Sequence, residues 1–161
     1  MKKSISYFLV VCLLLVCFST SVLAQKKNKL VGSWQAVVTP TSIPIPAFPG
    51  MLTFTSDGGV IETDAGPPNT KLFTAGHGEW ERIQDRQYAI SYVQLRYDET
   101  GKFEGFIKVR ITANFNDKMD EFNGQLAVEV TDPNSVVLLS GKGDVKAKRM
   151  KVERISPQVN F

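Results

Sequence analysis

His77 is the only histidine in a chain of 161 residues, and it stands in the run Gly76-His77-Gly78-Glu79-Trp80-Glu81. On an extended strand alternate side chains share a face, so His77, Glu79 and Glu81 point one way and Trp80 the other. An imidazole beside carboxylates is the material of acid–base chemistry. A tryptophan, however, usually faces the core, which would leave His77 and both glutamates in water unless a bulge at Gly76 or Gly78 turns the histidine. Two readings stand: a structural histidine at a rim, or a group that touches a ligand. Tyr88, Tyr92 and Tyr97 form a second set, whose hydroxyls either line a cavity or belong to its wall. The catalytic candidates are therefore His77, Glu79 and Tyr92.

Other chemistries lack their residues. One histidine and two cysteines, both near the N-terminus, make no usual zinc site. Asp57, Asp98, Asp117 and Asp132 sit singly in turn-like segments, where turn chemistry explains them. There is no Gly-rich phosphate loop and no nucleophile elbow. The sequence thus predicts no metal and no cofactor.

Residues 1–24 read as a signal peptide: Lys2 and Lys3, an apolar run over 5–18, and small residues ahead of a cut after Ala24. The run is short for a membrane span of ~20 residues, so no stable span is expected in the mature chain. Cys12 and Cys17 follow Val11 and Val16, where a lipoprotein signal wants a small residue. Both cysteines leave with the signal, so the mature chain has no disulfide and must be held by burial alone. Export to a periplasmic or extracellular space is the expected localisation. Removing Lys2 and Lys3 from the 19 basic residues leaves 17 against 16 acids, a net charge of +1. That balance implies no nucleic-acid partner.

The elements that must position the candidates are all strands. Residues 30–38 open the domain with Gly32-Ser33-Trp34. Residues 39–50 carry four prolines, which exclude a helix or a central strand, together with the apolar Ile43, Ile45 and Phe48. A stiff, apolar loop is either a lid over a barrel mouth or a loop packed on its own sheet. Short strands at 51–56 and 59–63 flank the turn signal Asp57-Gly58. After an irregular stretch, longer strands follow at 77–83, 86–98, 102–116, 119–131 and 135–152, joined by short turns. Period two is plain in the last three. Residues 86–98 break it, with Tyr88, Ile90 and Tyr92 on one face and Val93, Leu95 and Tyr97 on the other; a bulge at Tyr92-Val93 would restore one inward face. The count is eight strands and no helix, and strands of this length with one apolar face are expected to close into an up-and-down antiparallel barrel over about residues 30–153, within a single domain of residues 25–161.

Counting in twos along the last strand from Val137 reaches Arg149 on the inner face. A buried guanidinium needs partners, and in a closed meander the last strand lies beside the first, which carries Trp34. Gly32-x-Trp34 on the first strand with an arginine on the last resembles the calycin superfamily, the lipocalins and their relatives. The chain lacks the Thr-Asp-Tyr turn, the disulfide and the C-terminal helix of secreted lipocalins, and is closer to exported bacterial lipocalin-like or allene-oxide-cyclase-like barrels. The resemblance implies a closed barrel with Gly32, Trp34 and Arg149 as structural closure and a mouth that binds a small hydrophobic molecule. Ile43, Ile45, Phe48, Tyr88 and Tyr92 are then the expected ligand-binding residues. The main expectation is a barrel binding a small apolar or amphipathic molecule. The alternatives are a cyclase or isomerase in the same barrel, and a small outer-membrane barrel ending in Phe161.

Overall fold

The structure is a computed structural model that describes residues 29–66 and 72–154. The signal peptide expected at 1–24 and the terminal Phe161 lie outside the described residues. Nine strands follow one another: β1 (Gly32–Pro40), β2 (Phe48–Phe54), β3 (Gly59–Asp64), β4 (Leu72–Phe73), β5 (Gly76–Gln84), β6 (Gln87–Tyr97), β7 (Phe103–Phe115), β8 (Glu121–Thr131) and β9 (Val137–Arg149). Eight of them close into an antiparallel barrel, in which β1 pairs with β2 and β9, β3 with β2 and β5, and β6 with β5 and β7. The two-residue β4, not expected from the sequence, pairs with the end of β6. No helix occurs among the described residues. The architecture is all-β, and its closed eight-stranded barrel is consistent with a calycin-like fold.

Alternation sorts the side chains. On β7, Val109, Ile111, Ala113 and Phe115 are buried while Lys108, Arg110, Thr112 and Asn114 are exposed. On β9, Val145 and Ala147 are buried between exposed Asp144, Lys146 and Lys148. One apolar face per strand, turned inward, is what drives closure, because a closed barrel buries that face and leaves no sheet edge.

The expected bulge at Tyr92-Val93 is absent. Tyr88, Ile90, Tyr92 and Gln94 stay on the buried face without interruption, and Val93 and Leu95 point outward, each 37% exposed. The register shift comes later, between Arg96 and Tyr97, where β6 opposes β7 across Phe103 and Gly105. Two exposed aliphatic residues on the outer wall are tolerable, since much of any protein surface is apolar, and they imitated a second inward face.

The closed end is aromatic. The Trp34 indole has Phe115 at 5.3 Å, Phe122 at 5.6 Å and Phe54 at 6.4 Å between ring centroids. Trp80 and Tyr88 extend this packing. Trp34 Nε1 donates to the Leu30 carbonyl at 3.0 Å, so the indole is buried with its one donor satisfied. Arg149, the direct cross-strand partner of Trp34, lays its guanidinium over that indole and donates from Nη1 to the Val31 carbonyl at 2.9 Å and from Nε to the Met119 carbonyl at 3.3 Å.

Candidate functional site

The barrel is filled at the Trp34 end and hollow at the other. The hollow half holds a cavity of about 490 Å³, within the range of small-molecule sites. Its walls are mainly aliphatic, with Val38, Ile107, Val109, Leu126, Val128 and Val130 among them. Period two supplies these residues, since each is an inward position that the floor aromatics do not fill.

The loop between β1 and β2 crosses this end. Ile43, Ile45 and Phe48 line the cavity. Ser42 ties the loop to β9: its Oγ accepts from the Lys142 amide at 2.8 Å and donates to the Lys142 carbonyl at 3.3 Å. The Thr41 amide also donates to that carbonyl, at 2.9 Å. With its prolines limiting backbone freedom, the loop needs few such ties to hold its aliphatic side chains over the opening. Around it the rim is apolar and open to water, with Leu72 and Val136 to Leu139 at 49–63% exposure.

Two strands place polar groups in this interior. On β3, counting in twos from buried Val60 reaches Glu62 and then Asp64. Glu62 is 3% exposed and Asp64 lines the cavity. On β6 the same count from Tyr88 reaches Tyr92, Gln94 and Arg96, all three lining the cavity. Gln94 Nε2 donates to Glu62 Oε2 at 3.1 Å, and the Gly66 amide donates to Asp64 Oδ1 at 2.7 Å. Arg96 donates from Nη1 to Glu104 Oε2 at 2.8 Å and from Nη2 to the Glu104 carbonyl at 3.0 Å. Burial, reinforced by the Asp64 charge, pushes the Glu62 carboxyl up to about 9, with the Gln94 hydrogen bond opposing this. A hydrogen bond shared with Asp64 adds to the rise, so at neutral pH the two carboxyls hold a proton between them. Burial likewise holds the Tyr92 phenol well above its ordinary value, with the Glu62 and Asp64 charges adding to the effect.

Gly76 makes room for this arrangement. It lies opposite Glu62 across β3 and β5, and a Cβ there would sit 2.6 Å from Tyr92 Cδ2 and 3.0 Å from Glu62 Oε2. Only a residue without a side chain lets the Tyr92 ring lie against the strand.

The residues singled out from sequence divide as follows. Ile43, Ile45, Phe48 and Tyr92 line the cavity. Tyr88 does not; it packs at the closed end, 5.1 Å from Phe115 and 5.8 Å from Trp80. Tyr97 packs on Phe103 at 5.9 Å. His77 and Glu79 are exposed on the outer face of β5, because Trp80, between Glu79 and Glu81, turns inward against Phe54 and Tyr88. No bulge occurs at Gly76 or Gly78: β5 keeps its register with β3 through both, and with β6 from His77 to Arg82. Gly32, Trp34 and Arg149 lie at the closed end. Glu62, Asp64, Gln94 and Arg96 were not anticipated, although their phase relative to Val60 and Tyr88 marks them as inward. Among the described residues no group of three or more histidine, cysteine or acidic side chains is arranged to hold a metal ion.

In comparisons with known proteins, no family model and no curated protein matches the chain.

Proposed function

We propose that the protein is an exported, lipocalin-like barrel that binds a small apolar or amphipathic molecule in its cavity. The observation that carries this reading is the hollow half of the barrel: about 490 Å³ of mainly aliphatic wall, with Ile43, Ile45 and Phe48 across the opening. Apolar surface left unfilled inside a protein forfeits packing, and a ligand supplies the missing contacts. The calycin resemblance of Gly32, Trp34 and Arg149 points the same way. The outer wall argues against the membrane-barrel alternative. Exposed Lys108, Arg110, Lys146 and Lys148 alternate with buried aliphatic residues, the reverse of a lipid-spanning barrel, whose apolar band faces outward.

The test is titration of the mature chain with N-phenyl-1-naphthylamine, which fluoresces in apolar sites, beside native mass spectrometry of protein purified from its host. Saturable binding that is lost in Val128→Trp, with the β-barrel circular-dichroism signal retained, supports the reading. No dye binding and no co-purified mass would remove it.

A second reading, an isomerase-type enzyme, draws on one observation: Glu62 and Asp64, sharing a proton, face an apolar cavity, an environment suited to moving a proton on a bound molecule. Its groups are Glu62 and Asp64 rather than His77. Conversion of a molecule recovered with the protein, abolished in Glu62→Gln, is the result that would favour it over simple binding.

A further inference from the structure

The outer wall of the barrel is not the same all round. β1 turns Gln35 and Val37 outward, β2 turns Met51 and Thr53, and β3 turns Ile61 and Thr63. No outward position on these three strands carries a charge, because the acids of β3, Glu62 and Asp64, fall in the inward phase. On the far side of the barrel, β7 and β8 turn Lys108, Arg110, Glu121 and Glu129 outward.

The uncharged residues form one patch. Gln35 pairs with Met51, Met51 with Thr63, and Thr53 with Ile61, and through His77 of β5 the last row runs on to Val93 of β6. Val37, Met51 and Ile61 are 44–50% exposed. Single surface aliphatic residues need no explanation, whereas a contiguous patch without charge marks a contact surface. β2 and β3 have hydrogen-bonded neighbours on both sides, so a partner cannot add a strand here and must pack face to face.

We propose that this wall is a dimer face on which a second copy of the chain docks. Three observations select that occupant. The first is area: with β5 and β6 included, the half-exposed side chains offer on the order of 800 Å² per copy, the share each partner gives to a stable interface. The second is charge. One flank carries the exposed Lys146 and Lys148 of β9, and the other the exposed Glu79 and Glu81 of β5. A two-fold axis between β2 and β3 packs Met51 of one copy against Ile61 of the other and lays the β9 lysines of each beside the β5 glutamates of its mate. The third is polarity. Gln35, Thr53 and Thr63 are costly in lipid hydrocarbon, but they supply the neutral hydrogen bonds of a protein interface. The cavity opens at the end of the barrel, away from this wall, so pairing leaves the mouth free.

The experiment is mass measurement by light scattering on the mature chain at about 5 and 100 μM. Expected is the mass of two chains at the higher concentration, with pairing weakened only a few-fold between about 50 and 500 mM salt, since its charges lie at the rim. Met51→Lys and Ile61→Lys should each give the mass of one chain. Both side chains are exposed in the single barrel, so the β-barrel circular-dichroism signal should be retained. Lys108→Glu, on β7, should leave the dimer intact. Glu79→Lys should weaken pairing severalfold, and Lys148→Glu added to it should restore pairing. A wild-type chain of single mass at about 100 μM would overturn the proposal. So would a dimer that survives both Met51→Lys and Ile61→Lys, or one that Lys108→Glu dissociates.

Discussion

The guanidinium carbon of Arg149 lies 4.4 Å from the centroid of the Trp34 ring, and the two residues are direct partners across β9 and β1. This contact stands at the seam where the last strand meets the first. The cation gains the indole face, and its N–H groups satisfy the carbonyls of Val31 and Met119, which lie far apart in sequence. Trp34→Ala should cost roughly 3–5 kcal/mol, as expected for a fully buried indole. Arg149→Ala should cost roughly 1–3 kcal/mol, chiefly through the lost hydrogen bonds to the part-buried Val31 and Met119 carbonyls. Chemical denaturation reads both, and unchanged midpoints would sink the closure argument.

Gly32 belongs to the same seam. Its φ is +131°, and a Cβ there would lie 2.9 Å from Arg149 Nη1. Gly32→Ala should therefore destabilise by roughly 1–3 kcal/mol through backbone strain and the clash together. Repeating the substitution in an Arg149→Ala background separates the two parts. The strain persists while the clash disappears, so the cost should be smaller but not zero.

The seam was legible in the sequence and the polar wall was not, for the same reason. Period two carried the count reliably along β9, where Val145, Ala147 and Arg149 share one face and the residues between them are charged. On β6 the outward Val93 and Leu95 imitated a second inward face, and the bulge they called for would have turned Gln94 and Arg96 outward. On β3 the strand is six residues long, too short for alternation to stand out by eye. Yet Val60 fixes its phase and places Glu62 inside. A carboxyl at a core position looks like an error to hydrophobic patterning, and only closure of the barrel around Tyr92 and Gln94 shows what meets it. His77 failed in the opposite way: its residue type drew attention to chemistry that its face does not allow.

The loop over the cavity offers a kinetic prediction. Ser42→Ala removes both side-chain hydrogen bonds to the Lys142 backbone. The stability cost should be small, roughly 0.5–1.5 kcal/mol. The larger effects should be faster hydrogen exchange at the Lys142 amide and faster release of a bound dye, measured by stopped-flow dilution. Unchanged release would mean that Ile43 and Ile45 do not gate the cavity.

Gly76→Ala should disturb the cavity from the wall side. The added methyl meets Tyr92 Cδ2 at 2.6 Å and Glu62 Oε2 at 3.0 Å, so the ring must move into the cavity. A cost of roughly 1–3 kcal/mol is expected for such overpacking, with weaker dye binding. Gly101→Ala is the comparison: nothing lies within 4 Å of the added methyl, although φ there is +82°. It should strain the backbone and leave dye binding unchanged.

The last prediction concerns pH and the buried carboxyl. Glu62 has a folded-state value of about 9, raised from an ordinary value of 4.5 by burial and by Asp64. Because the folded state holds the proton more tightly than the unfolded chain, the stabilising contribution is complete below about 4.5. It is lost progressively as pH rises towards about 9. Over that window the Glu62–Asp64 pair should lower stability by on the order of 1 kcal/mol per pH unit. Glu62→Gln keeps the shape and the capacity to hydrogen-bond with Gln94 but carries no proton to lose. Its stability should therefore fall less steeply between about pH 5 and 8, and at pH 8 it should exceed that of the wild type. Urea denaturation of the two proteins across this range is the measurement. Parallel pH profiles would mean that Glu62 ionises in the folded barrel as readily as in the unfolded chain. Water, rather than a dry aliphatic wall, would then surround its carboxyl.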